Sequence, residues 1–433
     1  MAQESFLEIL QCPYCGGRFE LERREPAAGP HVEFGILRCS CYRYGIVLGI
    51  VVIRQYSPAY HNKDPIVAEL DRRAYGRAVQ LLLVRDLPPA ATRRTALSRA
   101  AEWIGGGGQR GGGAAPSENG LHPSENLHAA LMRLRPNSYG EYLYYRHANP
   151  SLLAALPVLA GIASNVEMAN ATGSGTDPTW SIDFGCGIGH AAYYLKGLLP
   201  QTRMVAADLD FLNLLFARRY FLPDASLLCF DAEAGLPFRD GVFRTAFSLD
   251  CVHYIRGKHA LAKELRRIGR PDALYAIAHL HNANRSNLNP GLPLAAEGYA
   301  KVFEPLDGCL YSEATALESF CGVGSLSLDA AAAAACLSTA DAFMYISAGK
   351  ETHALSSRRL DRYMAQGRNL LALNPLYSAE RPGGRPLQLR LRWPSEKLRD
   401  ECCVGFQPLQ EKVKITPADA EALLACRLSD LPA

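Results

Sequence analysis

From Trp180 onward, short uninterrupted apolar runs alternate with stretches whose apolar residues recur every three or four positions. SIDF leads into a helical stretch, RMVAAD into FLNLLFARRYF, SLLCFD into a short loop, TAFSLDCV into HALAKELRRIG, and ALYAIAHLH closes the series. Apolar runs of four to eight residues suit strands buried on both faces, and their alternation with helices predicts a parallel, doubly wound α/β sheet. Beyond Ala300 a further helix is expected, and then GVGSLSLDA and DAFMYISAG as a pair forming an antiparallel edge.

The rest of the chain follows other rhythms. Residues 1–56 predict a small β-rich module, in which CPYC and CSC flank a proline-bearing loop and lead into GIVLGIVVI. Residues 57–136 predict helix, as in IVAELDRRAYGRAVQLLL, interrupted by GGGGQRGGGAAPSENGLHPSENLH. That composition cannot support packing and marks a linker or surface loop. The α/β core is expected over residues 137–350, entered through the aromatic and then helical YGEYLYYRHANPSLLAALPVLAGI. Residues 351–433 form a C-terminal α+β extension, with RRLDRYMAQGRNLLAL as helix and LQLRLRW as strand.

Composition narrows the function. The 433 residues carry 46 Lys and Arg against 43 Asp and Glu, a net charge of +3. A dedicated nucleic-acid binder is more basic than this, so nucleic acid is not an expected partner. No apolar run reaches the length of a membrane helix, and MAQESFLEILQ lacks the basic and apolar parts of a signal peptide. A cytoplasmic chain without a membrane partner is expected. Thirteen cysteines in that setting imply free thiols, metal ligands or core residues rather than a disulfide framework.

The chemistry concentrates in SIDFGCGIGHAAYYL. Gly185, Gly187 and Gly189 strip the Cβ atoms from the first strand-to-helix turn, so a ligand can lie against the backbone at the carboxyl edge of the sheet. Asp208 ends the next strand and Asp231 the third. Taken with LPFRDGVFRTAFSLDCVHYI, the series over residues 180–281 resembles class I S-adenosylmethionine-dependent methyltransferases with a type 11-like core. The resemblance implies a seven-stranded Rossmann-like fold and S-adenosylmethionine as cofactor. It places Asp183, Gly185, Gly187 and Gly189 around the methionine portion, Asp208 on the ribose, and Asp231 with Ala232 on the adenine. Arg244 stands where the family has an acid, and Asp210 adds a second carboxylate beside Asp208.

Cys12, Cys15, Cys39 and Cys41 form two close pairs on turn-like loops, a set suited to one tetrahedral structural zinc ion. The surrounding LQCPYCGGRF and GILRCSCYRYGIVLGIVVI resemble the Trm112-like zinc ribbon, although the second pair is CxC rather than CxxC and Gly45 replaces a proline.

Methyl transfer to oxygen needs a base or a metal to take a proton. His253, His279 and His281, at the carboxyl ends of strands four and five, are the catalytic candidates, with Asp250, Tyr254 and Asn282 nearby. Strand alternation predicts His279 and His281 on one face. The sequence allows either a base or a metal site here but does not favour a metal at these two, because no carboxylate lies close beside them. His190, the tyrosines 139, 142, 144 and 145, and the loop HNANRSNLNPGLPL are expected around the pocket. The leading expectation is O- or N-methylation of a small molecule, of secondary-metabolite or sugar type. An rRNA or tRNA methyltransferase with a zinc module, and a non-catalytic scaffold, are the alternatives.

Overall fold

The computed structural model describes residues 2–54, 64–86, 126–136, 138–171, 179–316 and 337–347, with shorter stretches between 325 and 414. The expected glycine-rich linker and RRLDRYMAQGRNLLAL lie outside the described residues.

Eleven strands form one sheet. They are β1 (Glu20–Glu25), β2 (Phe34–Arg38), β3 (Arg43–Val47), β4 (Ile50–Ile53), β5 (Trp180–Phe184), β6 (Arg203–Asp208), β7 (Ser226–Phe230), β8 (Phe243–Leu249), β9 (Gly269–His281), β10 (Cys309–Ser312) and β11 (Ala342–Ser347). Their order is β10-β11-β9-β8-β5-β6-β7-β4-β3-β2-β1. From β7 through β6, β5 and β8 to β9 every pairing is parallel, and β11 runs antiparallel between β9 and β10. The order reverses between β5 and β8, so the carboxyl ends of those two strands flank the crevice where open α/β sheets bind ligands.

Alternation along each strand feeds two hydrophobic layers. Leu227 and Cys229 of β7 enter one buried cluster, while Leu228 and Phe230 enter the other. Each fully buried large apolar side chain contributes about 1.5–3 kcal/mol. The helix Lys258–Ile268 buries Leu261, Ala262, Leu265 and Ile268, at i, i+1, i+4 and i+7, which form one apolar face of HALAKELRRI.

The cysteine-bearing module continues this sheet. β4 lies parallel to β7, with Ile50 opposite Leu227 and Ile53 opposite Phe230. All four β4 residues are buried. Arg218, on the far side of the chain in sequence, donates hydrogen bonds to the carbonyls of Leu48 and Gly49 in the β3–β4 turn. Module and core therefore share backbone pairing and side-chain contacts.

The expected edge pair needs correction. DAFMYISAG does supply the antiparallel strand β11, but its outer neighbour is Cys309–Ser312. Ser325–Leu326, within GVGSLSLDA, pairs instead with Leu355–Ser356 in a separate two-stranded sheet. The four-residue CLYS is too short to stand out as an apolar run.

Candidate active site

The glycine turn follows β5 and opens into the helix His190–Leu198. Gly185, Gly187 and Gly189 all have positive φ, at 68°, 55° and 95°. A Cβ on Gly185 would stand 2.2 Å from the sulfur of Cys251, whereas one on Gly187 would meet nothing nearer than Leu143, at 4.0 Å. Gly185 is thus needed for close packing, and Gly187 leaves its backbone open to a ligand.

Asp208 ends β6. Its two carboxylate oxygens accept hydrogen bonds from the backbone N–H of Gly187 at 2.7 Å and of Asp210 at 2.8 Å. One acceptor position on each oxygen remains for a ligand. Burial and the neighbouring charge of Asp210 push its pKa up to about 7. Asp183, fully buried, accepts from the N–H of Ala192, and burial raises its pKa to about 8. Asp210 caps the helix Phe211–Phe216 and pairs with Arg135, which occupies it away from Asp208.

A cavity of about 840 Å³ runs from this turn across the carboxyl edge of the sheet. Asp183, Gly185, Gly187 and Asp208 line one end, and Asp250, His279, His281 and Glu313 line the other. Tyr139, Tyr142, His190 and the loop residues Ser286, Asn287, Leu288 and Asn289 also reach it, as expected. Tyr144 and Tyr145 are not in its lining, and neither are Gly189, Asp231, Ala232 or His253. Gly189 serves as the N-cap of its helix, and Asp231 accepts from the N–H of Glu233 at 3.0 Å.

At the far end the histidines converge on one carboxylate. Asp250 Oδ2 is held by the hydroxyl of Tyr142 and by Arg146, 3.2 Å away. Its Oδ1 faces three imidazoles, with Nε2 of His253 at 3.6 Å, of His281 at 3.8 Å and of His279 at 3.9 Å. His253 and His281 stack with ring centroids 3.6 Å apart. Burial would raise the pKa of Asp250, but the charges of His279, Arg146 and His253 and the Tyr142 hydrogen bond win and hold it at about 2. Burial lowers His253 to about 3 and His281, with the help of His279, to about 4. Burial also opposes charge on His279, yet Glu313 and Asp250 outweigh it and raise its pKa.

A shift of register in β9 between Ile277 and Leu280 places this group. His279 takes φ +56° there, and Asp250 takes φ +58° after β8. Left-handed backbone at a non-glycine residue is strained and tends to mark functional sites. The irregularity defeats simple strand alternation, yet both histidines still reach Asp250. The expectation that no carboxylate stands near His279 and His281 is overturned by Asp250 and by Glu313, whose Oε2 lies 2.9 Å from His279 Nδ1. Glu313 follows β10, and no local pattern in the sequence ties it to a histidine 34 residues earlier.

The C-terminal extension also contributes. Lys397 and Asp400, on the helix Glu396–Cys403, line the cavity, and Lys397 donates to Ser138 at 3.2 Å. The sequence offered no sign of this roof.

In the N-terminal module, Cys12 Sγ and Cys39 Sγ each lie 3.5 Å from Cys41 Sγ, and the hydroxyl of Ser40 lies 3.5 Å from Cys15 Sγ. All four sulfurs fall within 4.8 Å of one another, and none is in a disulfide. Four sulfurs about 2.3 Å from one tetrahedral ion would be ~3.8 Å apart, so the donor set fits zinc.

Residues 182–277 match the family model of the methyltransferase domain. This stretch is similar to that domain, and the match takes in 96 of the 433 residues. It begins inside β5 and ends inside β9, so it contains the glycine turn, Asp208 and Asp250. Several solved structures are similar to the chain at low identity. The YcgJ protein of Bacillus subtilis is 14% identical, with 34% of this chain and 69% of that one covered and a TM-score of 0.27. A chain from the complex between the Haloferax volcanii Trm112 methyltransferase activator and a methyltransferase is 14% identical, covering 44% and 96%, with a TM-score of 0.30. A SAM-dependent methyltransferase from Aquifex aeolicus is 14% identical, covering 46% and 97%, with a TM-score of 0.29.

Proposed function

We propose that the protein is an S-adenosylmethionine-dependent methyltransferase that modifies a small molecule at oxygen or nitrogen in the cytoplasm, braced by a Trm112-like ribbon holding one structural zinc ion. The observation that carries the reading is a single cavity joining the glycine turn of the methyltransferase domain to a cluster of histidine and carboxylate groups. Its volume, about 840 Å³, suits a nucleoside cofactor with a small acceptor beside it.

The cofactor supplies a methyl group carried on a positively charged sulfur. Asp183 and the backbone of Gly185 and Gly187 would hold its methionine portion, with Gly189 starting the helix behind them, and Asp208 has acceptor positions left for ribose hydroxyls. Asp231 and Ala232 take the adenine on the strength of the family resemblance. Displacement requires the acceptor to be aligned and water kept out. Tyr139 and Tyr142 on one wall, the asparagine-rich loop above and Lys397 from the C-terminal helix serve that end. His279 and His281 touch the cavity and are the groups placed to act on the acceptor, whereas His253 stands behind them and fixes the ring of His281 by stacking. In the ribbon, Cys12, Cys15, Cys39 and Cys41 leave no open coordination position, which makes the zinc structural.

Calorimetry with S-adenosylmethionine tests the first half of this reading, and mass spectrometry of small metabolites incubated with protein and cofactor tests the second, through a gain of one methyl group. A folded chain that fails to bind the cofactor would overturn the proposal.

A further inference from the structure

We propose that Asp250, His279 and His281 form a divalent transition-metal site at the acceptor end of the cavity, separate from the cysteine cluster. The inference rests on the methyltransferase reading for its role, though not for its existence.

The geometry around Asp250 is that of a ligand set. Tyr142 and Arg146 occupy Oδ2 and leave Oδ1 directed at the imidazoles. The separations from Oδ1 to Nε2 of His281 and His279, 3.8 and 3.9 Å, are too long for hydrogen bonds. They are close to the spacing of donors that share one ion. Donor atoms about 2.1 Å from a metal stand ~3.0–3.4 Å apart, so a contraction of roughly half an ångström closes the set. One donor atom from each of the three residues already falls within 4.8 Å of the others.

The outer contacts are also those of metal-binding histidines. Such a ring presents one nitrogen to the ion while the other is fixed by a carboxylate or a backbone carbonyl. His279 Nδ1 meets the Glu313 carboxylate at 2.9 Å, and His281 Nδ1 meets the Pro290 carbonyl at 3.3 Å. Both Nε2 atoms are thereby turned toward Asp250. The left-handed backbone at Asp250 and at His279 is a further sign, because such strain tends to mark functional sites.

Two imidazoles and one carboxylate favour manganese, iron, cobalt, nickel or zinc over magnesium and calcium, which prefer all-oxygen shells. Three protein ligands leave positions open toward the cavity. An acceptor hydroxyl or enol oxygen can take one of them, which favours oxygen over nitrogen as the methylated atom. The O–H bond breaks with loss of the proton to water, because the ion lowers its pKa. The oxygen then forms a bond to the sulfonium methyl carbon as the carbon–sulfur bond breaks, and the sulfur leaves as a neutral thioether holding the electron pair.

The test equilibrates the full chain with zinc, removes free ion by dialysis and counts bound metal in the wild type and in His281→Gln. The wild type should hold about one equivalent more than the variant, whatever the cysteine cluster contributes. Equal metal content in the two proteins would overturn the proposal. In case the histidine variant misfolds, Glu313→Gln keeps every proposed ligand, and it should bind the cavity metal ~10–100-fold more weakly with an unchanged melting curve. Unaltered affinity in that variant would equally count against the site. Cofactor binding is measured on the same samples. If S-adenosylmethionine fails to bind while the extra metal remains, the methyltransferase reading falls and the metal site stands.

Discussion

Asp183 is a buried acid and Asp208 a part-buried one, both near strand ends, and the structure gives them different work. Asp208 reaches the cavity with acceptor capacity to spare, so Asp208→Ala should remove one or two charge-assisted hydrogen bonds to the cofactor, each worth about 1.5–3 kcal/mol. Calorimetry should show S-adenosylmethionine binding weakened at least ~10-fold, and unchanged affinity would reject the ribose assignment. Asp183 makes a different prediction, on pH. Its native pKa of about 8 lies well above the unfolded value near ~4, so between those limits the native state holds a proton that the unfolded chain has lost. Stability from this group is therefore highest at low pH and falls as pH rises toward 8. Asp183→Asn removes that slope. Urea midpoints of the cofactor-free proteins at pH 5 and pH 8 should fall further in the wild type than in the variant. These acids and the glycine turn were legible in the sequence because each sits at a fixed place relative to an apolar strand. Glu313 was not, because its meeting with His279 depends on how a distant edge strand folds back.

At the scale of elements, legibility followed burial. Strands β5 to β9 are buried on both faces and read as apolar runs, whereas β10 has four residues and no such run. The joining of β4 to β7 was invisible for another reason, since strand pairing is made by backbone groups that every sequence carries. Side chains do secure that joint. Arg218 is half-buried with its guanidinium on the carbonyls of Leu48 and Gly49, and Leu48 itself has φ +51°. Arg218→Ala would strip both carbonyls of their partner and should cost about 2–4 kcal/mol, read as a lower denaturant midpoint. A midpoint within error of wild type would mean that the backbone pairing alone holds the module. Gly185→Ala should be worse tolerated than Gly187→Ala in the folded state, because only the first Cβ meets a sulfur at 2.2 Å.

Across the whole molecule, the continuous sheet decides how loss of zinc would be felt. A ribbon joined by a flexible tether would melt alone when its metal was removed, leaving the core untouched. Here β4 covers the edge of β7, and its four residues are buried in the shared layers. Val47, Ile50 and Val52 pack in the same cluster as Leu227 and Phe247, and Val51 and Ile53 in the same cluster as Ile182 and Phe184. Unfolding the ribbon would expose both layers of the core, so metal binding at Cys12, Cys15, Cys39 and Cys41 should stabilise the core as well as the ribbon. Chelation, or a Cys12→Ser/Cys15→Ser double variant, should lower the melting temperature of the whole described sheet in one cooperative step, and S-adenosylmethionine affinity should fall with it. Hydrogen exchange gives the sharper measurement. Amides of β7 and β6 should lose protection together with those of β4 when the metal leaves. If β4 exchanges freely while β6 and β7 stay protected, the ribbon is an independent unit resting on the edge of the core, and the zinc stabilises only itself.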